Sequence, residues 1–236
     1  MHSAADLNRF KEAAAESAAA RVKDGMIVGL GSGSTAAMAI HALGRRVSEG
    51  LRITGIPTSE QSAALARSLG IPLSTLGEHA QIDVTIDGAD EVELGALNLI
   101  KGGGGALLRE KIVASASEWF VVVVDESKLV GRLGAHCAVP AEVIPFGWQA
   151  TARRLRQLGA DPSLRLRPDG QVYTTDGGHY ILDCAFGAIV SPAALAADLD
   201  GVVGLVEHGL FIGLASEVVV GGPAGTRTLR PAPAGS

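Results

Sequence analysis

Residues 87–111 concentrate reactive side chains around a run of glycines. Asp87-Gly88-Ala89-Asp90-Glu91 ends a short apolar stretch, Lys101-Gly102-Gly103-Gly104-Gly105 follows a brief connector, and Arg109-Glu110-Lys111 lies in a helix-like run. A carboxylate at a strand end, such as Asp87, can exchange protons with a hydroxyl. A lysine beside glycines supplies positive charge and closely approaching N–H groups for a developing oxyanion. Glu110, one turn into the following helix, can reach the same space as a general base. Together these groups fit proton abstraction beside a carbonyl, through an enediolate. The same residues also admit plainer readings. Asp87 and Asp90 can cap turns, Arg109-Glu110-Lys111 can be a solvated helix face, and Asp87, Asp90 and Glu91 can form part of a Mg2+ site.

Two further polar clusters stand in comparable places. Met26-Ile27-Val28-Gly29-Leu30 reads as a buried strand leading into Gly31-Ser32-Gly33-Ser34-Thr35, and Ala36-Ala37-Met38-Ala39-Ile40 continues as helix. A strand, a Gly/Ser/Thr turn and a helix start present N–H groups and hydroxyls to a phosphate, although a tight turn with a Ser/Thr cap fits the same residues. Gly31, Gly33 and Ala36 meet a loose dinucleotide fingerprint, but the next strand, 52–57, ends without the acid that would hold a ribose hydroxyl. No lysine precedes Ser34-Thr35, so a Walker loop is excluded. The third cluster, Asp125-Glu126-Ser127-Lys128, follows the apolar run 119–124.

Positioning these clusters requires strands that alternate with helices. Helices are expected over 4–24, 59–69 and 106–118, with strands over 26–30, 52–57, 82–86 and 119–124. That alternation predicts a parallel sheet whose strand C-termini share one crevice. Beyond about residue 131 the texture changes. A strand over 138–144, with Pro140 and Pro145 marking edges or bends, precedes a helix over 147–158. Two short strands around an Asp169-Gly170 hairpin follow, then a strand over 180–185, a helix from Ser191-Pro192 to about 199, and a strand near 202–206. Residues 211–220 return to the first sheet, and 231–236 are expected to fray. The expected fold is α/β: a Rossmann-like parallel-sheet domain, 1–130 plus 208–236, carrying a smaller α+β domain over 131–207.

Composition narrows the partners. The 236 residues are 47% hydrophobic and 19% charged, with a net charge of -5 and scattered Lys and Arg, which argues against nucleic acid. No apolar run approaches the roughly 20 residues needed to cross a bilayer, and the Ala-rich start is interrupted by charge, unlike a signal peptide. Cys137 and Cys184 have no metal-like spacing and read as free thiols, and none of the six histidines pairs at zinc-ligand spacing. A cytoplasmic protein is expected.

In order and approximate spacing, six motifs are similar to those of type A ribose-5-phosphate isomerases. They are Gly29-Leu30-Gly31-Ser32-Gly33-Ser34-Thr35, residues 87–91, Ile100-Lys101-Gly102-Gly103-Gly104, residues 109–111, residues 125–128 and Glu142-Val143-Ile144-Pro145. The resemblance implies interconversion of D-ribose 5-phosphate and D-ribulose 5-phosphate without metal or organic cofactor. It implies Glu110 as the proton acceptor between C1 and C2, and Lys101 with the N–H groups of Gly102, Gly103 and Gly104 around the enediolate oxygen. By the same resemblance Asp87 and Asp90, with Gly88 and Ala89, contact substrate, and Asp87 is a candidate for ring opening. Ser32, Gly33, Ser34 and Thr35 line the sugar-phosphate site, with positive charge from Lys128 and a contribution from Lys11. A ferredoxin-like small domain and a homodimer or homotetramer are also implied. Two departures stand out: Ser32 where Thr is common, and a connector to Lys101 about one residue longer than the family pattern. Competing readings are a glucosamine-6-phosphate deaminase or phosphogluconolactonase on a related fold, and a sugar-phosphate sensor without catalysis.

Overall fold

The computed structural model describes residues 2–231, so the expected fraying beyond Pro231 lies outside the described residues. Helix α1 (Ala4–Ala19) opens with a capping box between Ser3 and Asp6, and residues 20–24 form the turn into β1 (Ile27–Leu30). There follow α2 (Ser34–Ser48), β2 (Thr54–Pro57), α3 (Glu60–Ser68) and β3 (Ile82–Asp87). The connector to Lys101 is a hairpin of two short strands, β4 (Glu91–Glu93) and β5 (Leu99–Ile100). Next come α4 (Leu107–Ser115), β6 (Ser117–Asp125), a 3-10 turn at Glu126–Lys128 and β7 (Leu129–Val130).

The second unit comprises β8 (Val139–Val143), α5 (Trp148–Gln157), β9 (Asp161–Leu164), β10 (Tyr180–Ala185), α6 (Pro192–Asp200) and β11 (Leu205–His208). The chain then runs through β12 (Leu210–Phe211) and β13 (Glu217–Gly222) to an unanticipated edge strand, β14 (Gly225–Leu229).

The large sheet has the order β14-β13-β6-β3-β1-β2, parallel except for the β13/β14 hairpin. From β1 the chain steps outward to β2, then returns to lay β3 on the other side of β1. This reversal opens a crevice between the C-terminal ends of β1 and β3, where loops diverge instead of covering one another. Strand β6 carries Val121, Val122, Val123 and Val124, all buried, because both faces of a central parallel strand are covered. One face packs on α1, α2 and α3 through Ala15, Ala39, Leu43 and Val123, and the other holds Phe120, Val122 and Phe211.

The second unit is a four-stranded antiparallel sheet, β11-β8-β10-β9, built as β-α-β-β-α-β, the ferredoxin-like arrangement. Pro140 corrects the expectation of an edge or bend, since it lies within central β8. Its carbonyl accepts from the Gly209 N–H at 2.7 Å on the β11 side. The missing proline N–H falls on that same side, past the last rung between Ala141 and His208. A small sheet, β12-β5-β4-β7, links the two units and braces Lys101 from below.

Candidate active site

Gly31 allows the loops after β1 and β3 to touch. A Cβ there would lie 2.2 Å from Asp87 Oδ1. In its absence Asp87 Oδ1 accepts the N–H groups of Ser32 (3.0 Å) and Gly88 (2.7 Å), tying the two strand ends together. Helix α2 starts at Gly33 with no side-chain cap, so the N–H groups of Ser34 and Thr35 and the positive end of the helix dipole remain open.

Residues 32–35, 88–90 and 101–104, with Lys11, Glu110 and Lys128, line one cavity of about 100 Å³. Asp87 alone among the expected site residues does not line it. It is 1% exposed and lies beneath the floor, 3.0 Å from Lys101 Nζ. A larger cavity of about 630 Å³ beside β2 and α3 is lined by Ile56, Leu73 and Ile112 and contains none of the proton-transfer groups.

At the buried end, Lys101 Nζ donates to the Gly88 carbonyl and lies 3.5 Å from Glu110 Oε2. Its ammonium also stands 5.5 Å over the Phe211 ring. Burial alone would lower the lysine, but Asp87 and then Glu110 hold it above its ordinary value. Two carboxyls face that single ammonium. Burial, then the neighbouring Asp87 charge, pushes Glu110 up to about 8. Burial raises Asp87 as well, against the pull of the nearer lysine and of the two N–H groups on Oδ1, and Asp87 Oδ2 and Glu110 Oε2 are both without a hydrogen bond among the described residues. Both carboxyls are thus held above their ordinary range and titrate as one pair around a single ammonium.

Asp90 sits at the cavity surface and accepts the Gly103 N–H at 2.8 Å. Of the glycine N–H groups expected to meet an oxyanion, Gly103 is thus engaged, while those of Gly102 and Gly104 make no hydrogen bond among the described residues. Glu91 corrects the Mg2+ alternative. Its carboxylate is consumed by the N–H groups of Gly134, His136 and Cys137 at 2.6, 2.6 and 2.9 Å.

At the open end, Asp125 Oδ1 accepts the Ser127 N–H at 3.0 Å and shapes the turn carrying Lys128, while Asp125 Oδ2 lies 3.8 Å from Lys11 Nζ. Ser32 lines the cavity, but its hydroxyl bonds to Thr58 (2.8 Å), Ser59 (2.7 Å) and Ser62 (3.2 Å). That hydroxyl cluster was missed because only tertiary contact joins residues 32 and 58–62.

The Arg109-Glu110-Lys111 run divides three ways. Glu110 faces the cavity, and Arg109 pairs on the surface with Glu60 at 2.9 Å. Lys111 is pinned to Glu207 (2.6 Å) and the His208 carbonyl (2.7 Å). Among the described residues the one group with metal-like geometry is Asp200, Glu207 and His208, and its Glu207 carboxylate is already paired with the Lys111 ammonium.

Residues 54–225 match the family described as ribose 5-phosphate isomerase A (phosphoriboisomerase A). The chain belongs to this family. A ribose-5-phosphate isomerase A from Gloeobacter violaceus is 57% identical over 229 residues, 97% of this chain and 99% of the relative. The solved structure of ribose 5-phosphate isomerase A from Methanocaldococcus jannaschii superposes with a TM-score of 0.90 at 43% identity, covering 94% of this chain and 98% of the other. A D-ribose-5-phosphate isomerase solved in complex with phospho-erythronic acid gives 0.92 at 39% identity, covering 95% and 99%. The α/β class with its second antiparallel sheet is therefore that of the family, and no described helix is long and apolar enough to cross a membrane.

Proposed function

We propose that this chain interconverts ribose 5-phosphate and ribulose 5-phosphate with Glu110 as the carbon base, Lys101 and the glycine loop as the oxyanion site, and the α2 N-terminus as the phosphate anchor. The observation that carries this reading is one cavity with a buried Lys101–Glu110 pair at one end and an uncapped helix start flanked by Lys11 and Lys128 at the other. The ring-opened sugar lies between them. The Glu110 carboxylate removes the proton from C2, and charge developing on O1 meets the Lys101 ammonium and the N–H groups of Gly102 and Gly104. Returning that proton to C1, with transfer of the hydroxyl proton from O2 to O1, completes the ketose. Asp90 at the cavity surface takes hydroxyl contacts. Asp87, beneath the floor, acts through the Lys101 ammonium, including in ring opening.

An ammonium supplies the charge that a metal would otherwise provide, so we expect turnover to survive chelation. The test is isomerisation of ribose 5-phosphate by the purified protein in EDTA and D2O. Turnover with solvent deuterium entering the reacting carbon supports the proton-transfer reading, and no turnover, or turnover only after metal is restored, overturns it.

The division into 1–130 plus 208–236 and 131–207 is part of the same proposal, and cleavage by limited proteolysis near 131 and 207 checks it. Free thiols at Cys137 and Cys184 suit a reducing cytoplasm. Exposed Phe146 (94%) and Val203 (92%) offer apolar surface for a homodimer or homotetramer, to be measured by sedimentation.

A further inference from the structure

The glycine loop is gripped from outside by the ferredoxin-like unit. The Arg165 guanidinium, just past β9, donates through one nitrogen to the carbonyls of both Gly102 (2.8 Å) and Gly103 (3.1 Å). Its remaining edge is bound by both carboxylate oxygens of Asp183 on β10, with Nε to Oδ2 at 2.9 Å. The Tyr173 hydroxyl donates to the Gly104 carbonyl at 3.2 Å, and the Arg165 guanidinium lies 5.9 Å over the Tyr173 ring. Three successive loop carbonyls are thus held by one small cluster of side chains.

The consequence follows from peptide planarity. In a trans peptide the N–H points opposite to the preceding carbonyl. With the Gly103 carbonyl held on the Arg165 side, the Gly104 N–H must point away from it. Gly104 lines the cavity, and its N–H donates to no acceptor among the described residues. Glycine peptides have no side chain to restrain them, so an unclamped loop would sample flipped planes that turn this donor away.

We propose that Arg165, held by Asp183 and assisted by Tyr173, is a positioning residue that fixes the glycine-loop peptides so that the free Gly104 N–H is aimed at the enediolate oxygen. This rests on the oxyanion reading of the loop given above. The pair is neutral overall, so the clamp orients the loop without adding net charge to a site whose charges are already arranged. It touches no substrate atom, and its removal should affect the reaction more than ground-state binding.

The experiment compares the wild type with Arg165→Met, Arg165→Lys and Asp183→Asn, all as full chains whose melting confirms folding. Arg165→Met should lower kcat about 10- to 100-fold, below the loss for a deleted oxyanion donor, with KM changed less than about threefold. Arg165→Lys and Asp183→Asn should fall between it and wild type. Phospho-erythronic acid, whose carboxylate mimics the enediolate, should bind more weakly across the series in proportion to kcat, while inhibition by inorganic phosphate stays unchanged. In 15N spectra the Gly104 amide should shift on adding phospho-erythronic acid to wild type and shift less in Arg165→Met. No Gly104 shift in wild type would overturn the oxyanion reading and the clamp with it. An equal shift in both proteins, with kcat preserved in Arg165→Met, would overturn the clamp alone. Parallel losses in phosphate inhibition and kcat would instead mark Arg165 as merely structural.

Discussion

At the proton-transfer end of the cavity Lys101, Asp87 and Glu110 are 2%, 1% and 4% exposed, whereas at the phosphate end Gly33 and Ser34 are open to solvent and Lys11 and Lys128 are half-buried. The buried end holds two carboxyls against one ammonium, and the imbalance appears as a carboxyl that prefers to keep its proton. The open end holds the uncapped N–H groups of the α2 start, which the proposed function assigns to phosphate. Charge in the dry end is strong and sensitive to geometry, so its changes should fall on turnover. Charge in the wet end is screened, so its changes should fall on affinity.

The most severe way to break this contrast is Glu110→Gln. It removes the base and leaves the open end intact, so turnover should fall about 100-fold or more while substrate still binds. Steady-state rates with a separate binding measurement check it, and near-normal turnover would remove Glu110 from the role. The pH profile comes next. The base must be ionised, and with Glu110 at about 8 in the free protein, kcat/KM should rise about tenfold per pH unit up to that point and level off above it. A profile flat between pH 6.5 and 8.5 would show that the buried carboxyl is not the titrating group that limits the reaction.

Lys128→Met addresses the other end. KM should rise about tenfold with kcat within about threefold, and added salt should weaken wild-type binding more than it weakens the variant's. A kcat loss matching that of Glu110→Gln would erase the contrast.

The smallest effect is on stability. Glu110 is raised from 4.5 when unfolded to about 8 when folded, so the folded state binds its proton more tightly. Its contribution is therefore full below about 4.5 and is lost as pH rises through about 8. Glu110→Gln cannot ionise, so it should melt a few degrees above wild type at pH 9 and nearly level with it at pH 5. Equal melting at both values would mean that the carboxyl is not strained by burial.

Much of the site was legible because strand ends are. Asp87, Ser34 and Lys128 follow apolar runs of strand length, and a parallel sheet with right-handed crossovers brings such ends to one side. The hairpin between Glu91 and Lys101 was not legible, since strands of three and two residues leave no periodicity to read. Of the stretch 211–220 expected to return to the first sheet, β13 does so, while Phe211 pairs with β5 in the small sheet. Arg165 escaped notice for a related reason. In Leu164-Arg165-Leu166-Arg167 it looks like the solvent-facing half of an alternating strand, and only packing of β9 and β10 against the glycine loop gives it a task.

By itself, then, the amino-acid order determined which chemistry was available: a base, an ammonium, a glycine loop and an open helix start, each placed by local periodicity at the end of an element. Tertiary structure decided how those groups are used. It sank Asp87 beneath the floor, turned the Ser32 hydroxyl toward Thr58 and Ser59, sent Glu91 to backbone donors near 134–137, and set Arg165 on the loop from just past the end of β9. Periodicity specifies which face a side chain leaves from, but hydrogen-bond partners and burial are set by whatever long-range packing brings against that face.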